Sequence, residues 1–182
     1  MNKDFAMDYY RMTGETYHFG LRSLIRCMYS HQIRYVRLWR KANQTPSVFY
    51  KARLKHYALK YGIEISTNAK IGKGLYLGHP YNITVGDATL GNNVNLHKGC
   101  TIGRENRGKR AGCPTIGNNV SVGINATIVG NITIGDDVMI APNSFVNFDV
   151  PDHSVVIGNP GVIHPKENAT RGYIGYCVDD LE

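Results

Sequence analysis

The sequence has few residues that could build disulfide bonds, metal centres or membrane spans. Its four cysteines are scattered through 182 residues without metal-ligand or redox spacing. No apolar run reaches the roughly 18 residues that a transmembrane helix needs, and the first residues lack the apolar core of a signal peptide. We therefore expect reduced thiols, no bound metal and a soluble cytoplasmic protein.

Acidic residues are scarce in the N-terminal third of the chain. Residues 1–62 hold 12 Lys and Arg against 3 Asp and Glu, whereas the remainder holds 9 against 11. The net charge of +7 therefore belongs to the first third. Such basic faces suggest a membrane surface or nucleic acid as partner, but charged helical faces are normally solvated. We predict no nucleic-acid binding, and membrane-surface contact remains the alternative.

The same third has the apolar spacing of helices. One helix is predicted around Leu21 to Val36, and the sequence Asn43-Gln44-Thr45-Pro46 interrupts it. A second helix is predicted to begin with Thr45 as N-cap and Pro46 in the first turn, and to end at Gly62. Interleaved aromatic residues fit a helical cap that hides an open edge of the neighbouring domain.

What the sequence does contain is a six-residue repeat. From Ile116 to Val146 an aliphatic residue recurs at every sixth position, and the same period is visible upstream. A parallel β-helix of hexapeptides gives this period, whereas an α-helix or an alternating strand does not. Gly-Asn and Gly-Asp pairs suit its corners because both residue types tolerate positive φ. The repeats predict an all-β solenoid over residues 63–163, between the basic helical segment 1–62 and a C-terminal tail of residues 164–182.

Two irregularities interrupt the upstream repeats. One extra residue lies between Ile83 and Leu90, and the spacing from Ile102 to Ile116 is 14 residues instead of 12. The second segment is polar, basic and contains glycine, which predicts a loop ejected from a coil. Solenoid insertions tend to project on the binding face. A tolerated surface insertion is the alternative.

Two histidines inside the repeats are candidates for chemistry. His79 occupies a corner of its repeat, where a histidine can act as a base near neutral pH, although an ordinary surface histidine is the alternative. His97 follows 18 residues later, about one coil if three hexapeptides close a turn. Neighbouring coils stack about 4.8 Å apart, so both could lie on one side. The extra residue shifts their phase, so no direct contact is predicted.

Seven short motifs follow one another along the repeats. They are Glu64-Ile65, Ile71-Gly72, Leu77-Gly78-His79, Ile83-Thr84-Val85-Gly86, Thr101-Ile102-Gly103, Pro114-Thr115-Ile116-Gly117 and Ile128-Val129-Gly130-Asn131-Ile132. Together they resemble the motifs of serine acetyltransferases and their polysaccharide O-acetyltransferase relatives. The resemblance covers about residues 63–163 and implies a left-handed β-helix that acts as an acetyl-CoA-dependent acyltransferase. It also implies a homotrimer with active sites between subunits.

The resemblance assigns roles to two catalytic candidates. His79 matches the family's general base, which takes the proton of the acceptor hydroxyl as the oxygen attacks the thioester without a covalent enzyme intermediate. Glu64 falls where the family places a carboxylate that orients this histidine. A solvated surface Glu64 is the alternative.

The acceptor site departs from the family pattern. Serine acetyltransferases place Arg-His-Pro at the end of the loop, whereas this chain has Gly112-Cys113-Pro114, and Gly78 replaces a carboxylate. Without the arginine fork, a sugar or sugar nucleotide is the predicted acceptor, as in polysaccharide biosynthesis. Serine O-acetylation in cysteine biosynthesis is the alternative. The candidate acceptor contacts are His97, Arg107, Lys109, Arg110 and Cys113.

The family's CoA sites use backbone amides along the groove between coils, with basic groups for the phosphates. Small residues at matching positions are candidates, and Lys166 could meet a phosphate. The same small residues also serve simply to turn corners. The candidate CoA contacts are Gly103, Gly123, Asn125, Ala141, Pro142 and Lys166.

Two other functional classes use the same solenoid. Zinc carbonic anhydrases need three converging histidines, but only His79 and His97 lie inside the coils. A non-catalytic trimeric scaffold would need neither His79 nor CoA. A thiol-release assay with acetyl-CoA distinguishes a scaffold from an acetyltransferase.

Overall fold

The computed structural model describes residues 3–45 and 47–178, so the predicted role of Pro46 lies outside the described residues. Its helices differ from the predicted pair. Ser30 separates two helices where one was predicted, and its side chain caps the second by accepting a hydrogen bond from Ile33 N–H at 3.3 Å. The last helix begins at Val48, not at Thr45, and ends at Gly62, which is left-handed at φ 67°. The helices are α1 (Lys3–Thr13), α2 (Leu21–Tyr29), α3 (His31–Gln44) and α4 (Val48–Tyr61).

The predicted solenoid is confirmed as a left-handed parallel β-helix of about five turns. Its short strands stack into three sheets, one for each side of a coil. Sheet A contains β1, β4, β7, β10 and β13, sheet B contains β2, β5, β8 and β11, and sheet C contains β3, β6, β9, β12, β14 and β15. The strands are β1 (Glu64–Ile65), β2 (Lys70–Ile71), β3 (Tyr76–Gly78), β4 (Thr84–Val85), β5 (Thr89–Leu90), β6 (Asn95–His97), β7 (Thr101–Gly103), β8 (Thr115–Ile116), β9 (Ser121–Val122), β10 (Thr127–Val129), β11 (Thr133–Ile134), β12 (Val138–Ile140), β13 (Phe145–Val146), β14 (Ser154–Ile157) and β15 (Val162–Pro165).

The register of the sheets corrects two details of the predicted repeat. Ile65 pairs with Val85 and not with Ile83, so the irregular step lies before β4. Ile102 in β7 and Ile116 in β8 belong to consecutive strands, so the loop stretches one six-residue step to 14 residues and inserts eight residues instead of two. The buried aliphatic residues form a continuous core along the axis of the solenoid.

The candidate site residues are placed below by the corners between the sheets. We call the turn from sheet C to sheet A the C–A corner; it comprises residues 79–83, 98–100, 123–126 and 141–144. The A–B corner includes the long loop 104–114, and the B–C corner includes residues 91–94, 117–120, 135–137 and 151–153. Residues at equivalent places on successive coils therefore form columns along the solenoid.

The helical segment covers the first coil. Trp39 Nε1 donates to the carbonyl of Ser66 at 3.1 Å, and the hydroxyl of Tyr35 accepts Ile65 N–H at 3.0 Å. These bonds satisfy backbone groups that a first coil would otherwise leave open. Of the helices that the structure describes, none combines the length and apolar character needed to span a lipid bilayer.

A buried ion pair fixes the helices to this coil. Asp8 accepts two hydrogen bonds from Arg40, at 2.8 and 2.9 Å, and one from Leu75 N–H at 2.8 Å. Arg40 also donates to the carbonyls of Ile71 and Gly72, both at 2.6 Å. The pair thus joins α1 and α3 to the first B–C turn, at residues 71–75.

Candidate active site

His79 lies at the C–A corner of the first coil, directly after β3. Its backbone is left-handed with φ 49°, which is uncommon for a residue other than glycine. Its carbonyl accepts Tyr81 N–H at 2.8 Å, which tightens the turn. The side chain is exposed, so the imidazole is open to a substrate from solvent.

An aromatic cluster from the helices supports this corner. The ring of His31 stacks on Tyr61 with centroids 4.8 Å apart and lies 5.2 Å from the ring of Tyr81. Burial lowers the pKa of His31, which favours a neutral, stacked ring. No local pattern signals this support, because His31 lies 30 positions before Tyr61 and 50 positions before Tyr81 in the chain.

His97 lies beside the same corner, one coil further along. In the pairing of β3 with β6, His97 stands opposite Gly78, one position before His79. Burial, and then the charge of His79, lowers the pKa of His97. His97 is therefore neutral at pH 7 and can donate or accept a hydrogen bond there.

Gly78 leaves the space that the His97 ring occupies. A Cβ atom on Gly78 would lie 2.4 Å from Nδ1 of His97. We expect Gly78→Ala to lower the free energy of unfolding by about 1–3 kcal/mol, because the ring must move. Urea unfolding measures this change, and Gly78→Ala/His97→Ala should recover most of it.

Gly86→Ala is the matched control, since its Cβ atom would come no closer than 3.6 Å to a neighbouring atom. Equal losses of stability in Gly78→Ala and Gly86→Ala would contradict the steric argument.

Glu64 does not contact His79 within the described residues. It lies exposed in β1 of sheet A, where its N–H donates to the carbonyl of Ile83 at 2.8 Å. It also borders a cavity of about 390 Å³ between α4 and sheet A. The predicted orienting role for Glu64 therefore remains a prediction.

A second cavity, of about 300 Å³, lies next to His97 on sheet C. Arg11 of α1 forms part of its wall and donates to the carbonyls of Gly74 and Gly175 and to the side chain of Asn95. Three tyrosines add aromatic surface. The lining residues are Arg11, Met12, Tyr76, Asn95, His97, Tyr173, Gly175 and Tyr176.

The outer wall of this cavity is the C-terminal strap, residues 168–178. Asn95 donates to the carbonyl of Tyr173 at 3.0 Å, and Asn93 accepts Val178 N–H at 3.0 Å. At its other end the strap is held by Asp137, which accepts the N–H groups of Ala169 and Thr170 at 3.0 Å. The predicted tail is therefore ordered along the solenoid.

Asp137 also pairs with His153, at 2.9 Å. The hydrogen bond to Asp137 raises the pKa of His153 above the ordinary 6.5. Burial works to raise the pKa of Asp137, but hydrogen bonds from His153, Thr170 and Ala169 outweigh it and lower this pKa. The pair therefore favours a carboxylate on Asp137 and a protonated imidazole on His153 more than either group would alone.

The raised pKa of His153 predicts a pH-dependent strap. The stabilisation that comes from the attraction between protonated His153 and Asp137 is fully present below pH 6.5. It is lost as pH rises through the raised pKa of His153. We expect faster hydrogen exchange in residues 168–178 above that pKa, after correction for the intrinsic effect of pH. His153→Ala should abolish this extra change, and an unaltered pH dependence in that variant would contradict the assignment.

The long loop after β7 is closed by its own hydrogen bonds. Glu105 and Gly112 exchange two backbone bonds of 2.9 Å, which leaves Arg107 exposed near the tip. The side chain of Arg110 donates to the carbonyl of Asn147, so it lies along the coils. Cys113 is half-buried against the core.

Comparisons with known proteins agree with this geometry. Residues 113–147 match the family described as bacterial transferase hexapeptide (six repeats). A serine acetyltransferase of Staphylococcus aureus (strain Mu50) is 41% identical over 114 residues, or 61% of this chain and 53% of that protein. The structure of Neisseria gonorrhoeae serine acetyltransferase in complex with serine aligns with a TM-score of 0.74 at 28% identity, over 89% of this chain and 68% of that one. A serine acetyltransferase in complex with CoA aligns with a TM-score of 0.65 at 26% identity, over 75% of this chain and 58% of that one.

The chain is similar to serine acetyltransferases and contains the bacterial transferase hexapeptide repeat. It spans about half the length of the curated relatives it matches. The likeness extends into the helical segment, because the Neisseria structure aligns with 89% of the chain.

The structure does not place all six candidate CoA contacts together. Four lie at the C–A corner, one lies at the A–B corner and one lies after β15. Four of them follow sheet C strands at the C–A corner, in the same column as His79: Gly123, Asn125, Ala141 and Pro142. A Cβ atom on Gly123 would lie 2.7 Å from Pro142 N, so this column is narrow. Gly103 ends β7 at the A–B corner, and Lys166 donates its N–H to His153 at the B–C corner.

The alternative of a zinc carbonic anhydrase requires three converging histidines. Within residues 3–45 and 47–178, no group of three or more His, Cys, Asp or Glu side chains could hold a metal ion. His79 and His97 are the two histidines that the structure brings together at the family's candidate site.

Proposed function

We propose that the chain transfers an acetyl group from acetyl-CoA to an acceptor hydroxyl. The observation that carries this proposal is the exposed His79 at the head of a C–A column whose later coils present Gly123, Ala141 and Pro142. An extended CoA chain laid along such a column would bring its thioester to the imidazole. The alignment with a serine acetyltransferase in complex with CoA supports CoA as the carrier of the acetyl group.

In the proposed reaction His79 is the general base. Its imidazole takes the acceptor's proton as the hydroxyl oxygen attacks the thioester carbonyl, and the carbon–sulfur bond breaks when the tetrahedral intermediate collapses. The imidazolium then returns the proton to the departing CoA thiolate. His97, neutral because of its lowered pKa, orients the acceptor by a hydrogen bond without competing for its proton.

The proposed active site lies between subunits of a homotrimer. His79 lies where the chain enters the strands of sheet A, and the loop 104–114 lies where the chain leaves them. Within one chain the two are therefore at opposite ends of these strands. A neighbouring subunit could supply Arg107 and Cys113 to the His79 of the first. Mixed trimers of His79→Ala and Arg107→Ala chains test this arrangement, because a shared site predicts partial recovery of activity on mixing.

For the acceptor, the comparisons favour L-serine over the sugar predicted from the sequence. The relatives are serine acetyltransferases, and the aligned Neisseria structure holds serine. One observation favours a sugar as second candidate: the cavity beside His97 is lined by Tyr76, Tyr173 and Tyr176, which suits the apolar face of a hexose ring.

A thiol-release assay with acetyl-CoA decides between these acceptors. L-serine, N-acetylhexosamines and nucleotide sugars are compared at equal concentrations, with wild type and Tyr173→Ala. Serine as the best acceptor, with no effect of Tyr173→Ala, supports serine acetylation. A sugar as the best acceptor, with a raised KM in Tyr173→Ala, supports the second candidate. No thiol release above the rate of His79→Ala with any acceptor would favour a scaffold.

A further inference from the structure

Helix α2 is oriented with its apolar side toward solvent. Its buried residues are the small Ser23 and Cys27, which face α3. The large apolar residues follow helical spacing on the opposite side and are 43–73% exposed. These residues, which we call the α2 stripe, are Leu21, Leu24, Ile25 and Met28.

Two aromatic residues extend the stripe at its ends. Phe19, just before α2, is 92% exposed, and Tyr29, at its last position, is 85% exposed. Four large apolar side chains on one helix face, with two more exposed at its ends, exceed the scattered exposure of an ordinary surface. Such a face requires a partner with an apolar region.

The surroundings of the stripe are strongly basic. Residues 16–63 contain ten Lys and Arg and no Asp or Glu, and two of these cations, Arg22 and Arg26, pair with Glu15 just before the range. A groove of about 410 Å³ reaches α2 at Cys27 and at the end of the stripe, where Arg34 donates to the carbonyl of Met28 at 2.6 Å. Four cations line this groove: Arg34, Arg37, Lys41 and Arg53. None of the residues lining this groove is acidic. The groove therefore suits phosphate groups.

We propose that this face binds the surface of an anionic phospholipid bilayer. The α2 stripe would insert between the headgroups and the acyl chains, while the groove cations contact lipid phosphates. Helices that lie in a membrane interface have this combination of apolar and basic faces. The inference is independent of the proposed acetyl transfer.

A second copy of the chain fits this face less well. A two-fold contact through the stripe would bring together two segments that each carry +9 over residues 1–62. Like charges brought together repel, whereas an anionic bilayer attracts both segments.

Vesicle flotation of the full chain tests the proposal. Vesicles of phosphatidylcholine with roughly 30% phosphatidylglycerol are compared with pure phosphatidylcholine, at about 0.1 M and about 0.5 M salt. We expect flotation with the anionic vesicles, weakened by salt, and little with the neutral ones. Equal flotation with both vesicle types, or with neither, would overturn the proposal.

Two pairs of substitutions separate the stripe from the groove. Leu24→Ser/Ile25→Ser should lower the partition coefficient at least about tenfold through lost apolar burial. Lys41→Gln/Arg53→Gln should lower it about thirtyfold at about 1 kcal/mol per cation. Arg104→Gln/Arg171→Gln removes the same charge from exposed positions in the long loop and the C-terminal strap and should leave the partition coefficient unchanged. If the groove variant and the control variant lower the partition coefficient equally, binding depends only on net charge, and the proposed site is wrong.

The stripe variants also need checks of folding and assembly. Their unfolding midpoints should match wild type, because the replaced side chains are exposed, and Leu21→Ser/Met28→Ser replaces any variant that unfolds. Thiol release with a soluble acceptor should be the same in both stripe variants as in wild type. If the stripe variants instead form smaller assemblies while vesicle binding persists, the stripe is a contact between copies and the proposal fails.

Discussion

His79→Ala should lower kcat at least about a hundredfold, the usual contribution of a positioned general base. In this variant His97 is a poor replacement for the exposed imidazole at the first C–A corner, because burial lowers the pKa of His97. Steady-state thiol release with acetyl-CoA and the best acceptor measures the effect. The KM for acetyl-CoA should change little, since the C–A column remains.

His79→Asn is the companion variant, because asparagine tolerates the left-handed backbone at φ 49° better than alanine does. It should be as inactive as His79→Ala but more stable. Activity within a few-fold of wild type in either variant would remove His79 from the reaction.

The second large effect concerns stability, and we expect it from Arg40→Ala. The side chains of Asp8 and Arg40 are 0% and 4% exposed. Removal of one partner leaves a buried charge uncompensated and should cost about 3–5 kcal/mol in the free energy of unfolding. The loss also frees the carbonyls of Ile71 and Gly72 from their donor.

Arg22→Ala is the matched control, because it breaks a pair with Glu15 in which Arg22 is 76% exposed. Exposed pairs contribute at most about 1 kcal/mol. Urea unfolding should separate the two variants clearly, and Asp8→Asn/Arg40→Met should recover part of the loss. Similarly small losses in the free energy of unfolding for Arg40→Ala and Arg22→Ala would show that the buried pair does not stabilise the contact between the helical segment and the first coil.

The solenoid was predictable from sequence because each coil repeats the same local requirement. An aliphatic residue must point inward at every strand. The six-residue spacing from Ile116 to Val146 therefore predicts the β-helix without any information on long-range contacts. The helical segment lacks such repetition. There the break at Ser30 depends on one capping hydrogen bond, which apolar periodicity does not detect.

The candidate site was predictable only where it follows the repeat. The corner position of His79 could be read from its place in the hexapeptide, but its support by His31 and Tyr61 could not. The cavity beside His97 depends on Arg11 and Tyr173, which lie 162 residues apart in the chain. Contacts of this kind arise from tertiary packing, and no local pattern encodes them.

The C-terminal strap has a consequence for how the solenoid unfolds. In a stack of coils each coil contacts only its neighbours, so the ends could open one coil at a time. The strap joins Asp137 in the fourth coil to Asn93 in the second and to Arg11 in the cap. The fourth coil, the second coil and the helical segment cannot separate from one another unless the strap is released first. A fold built from neighbour contacts is thereby tied into one cooperative unit.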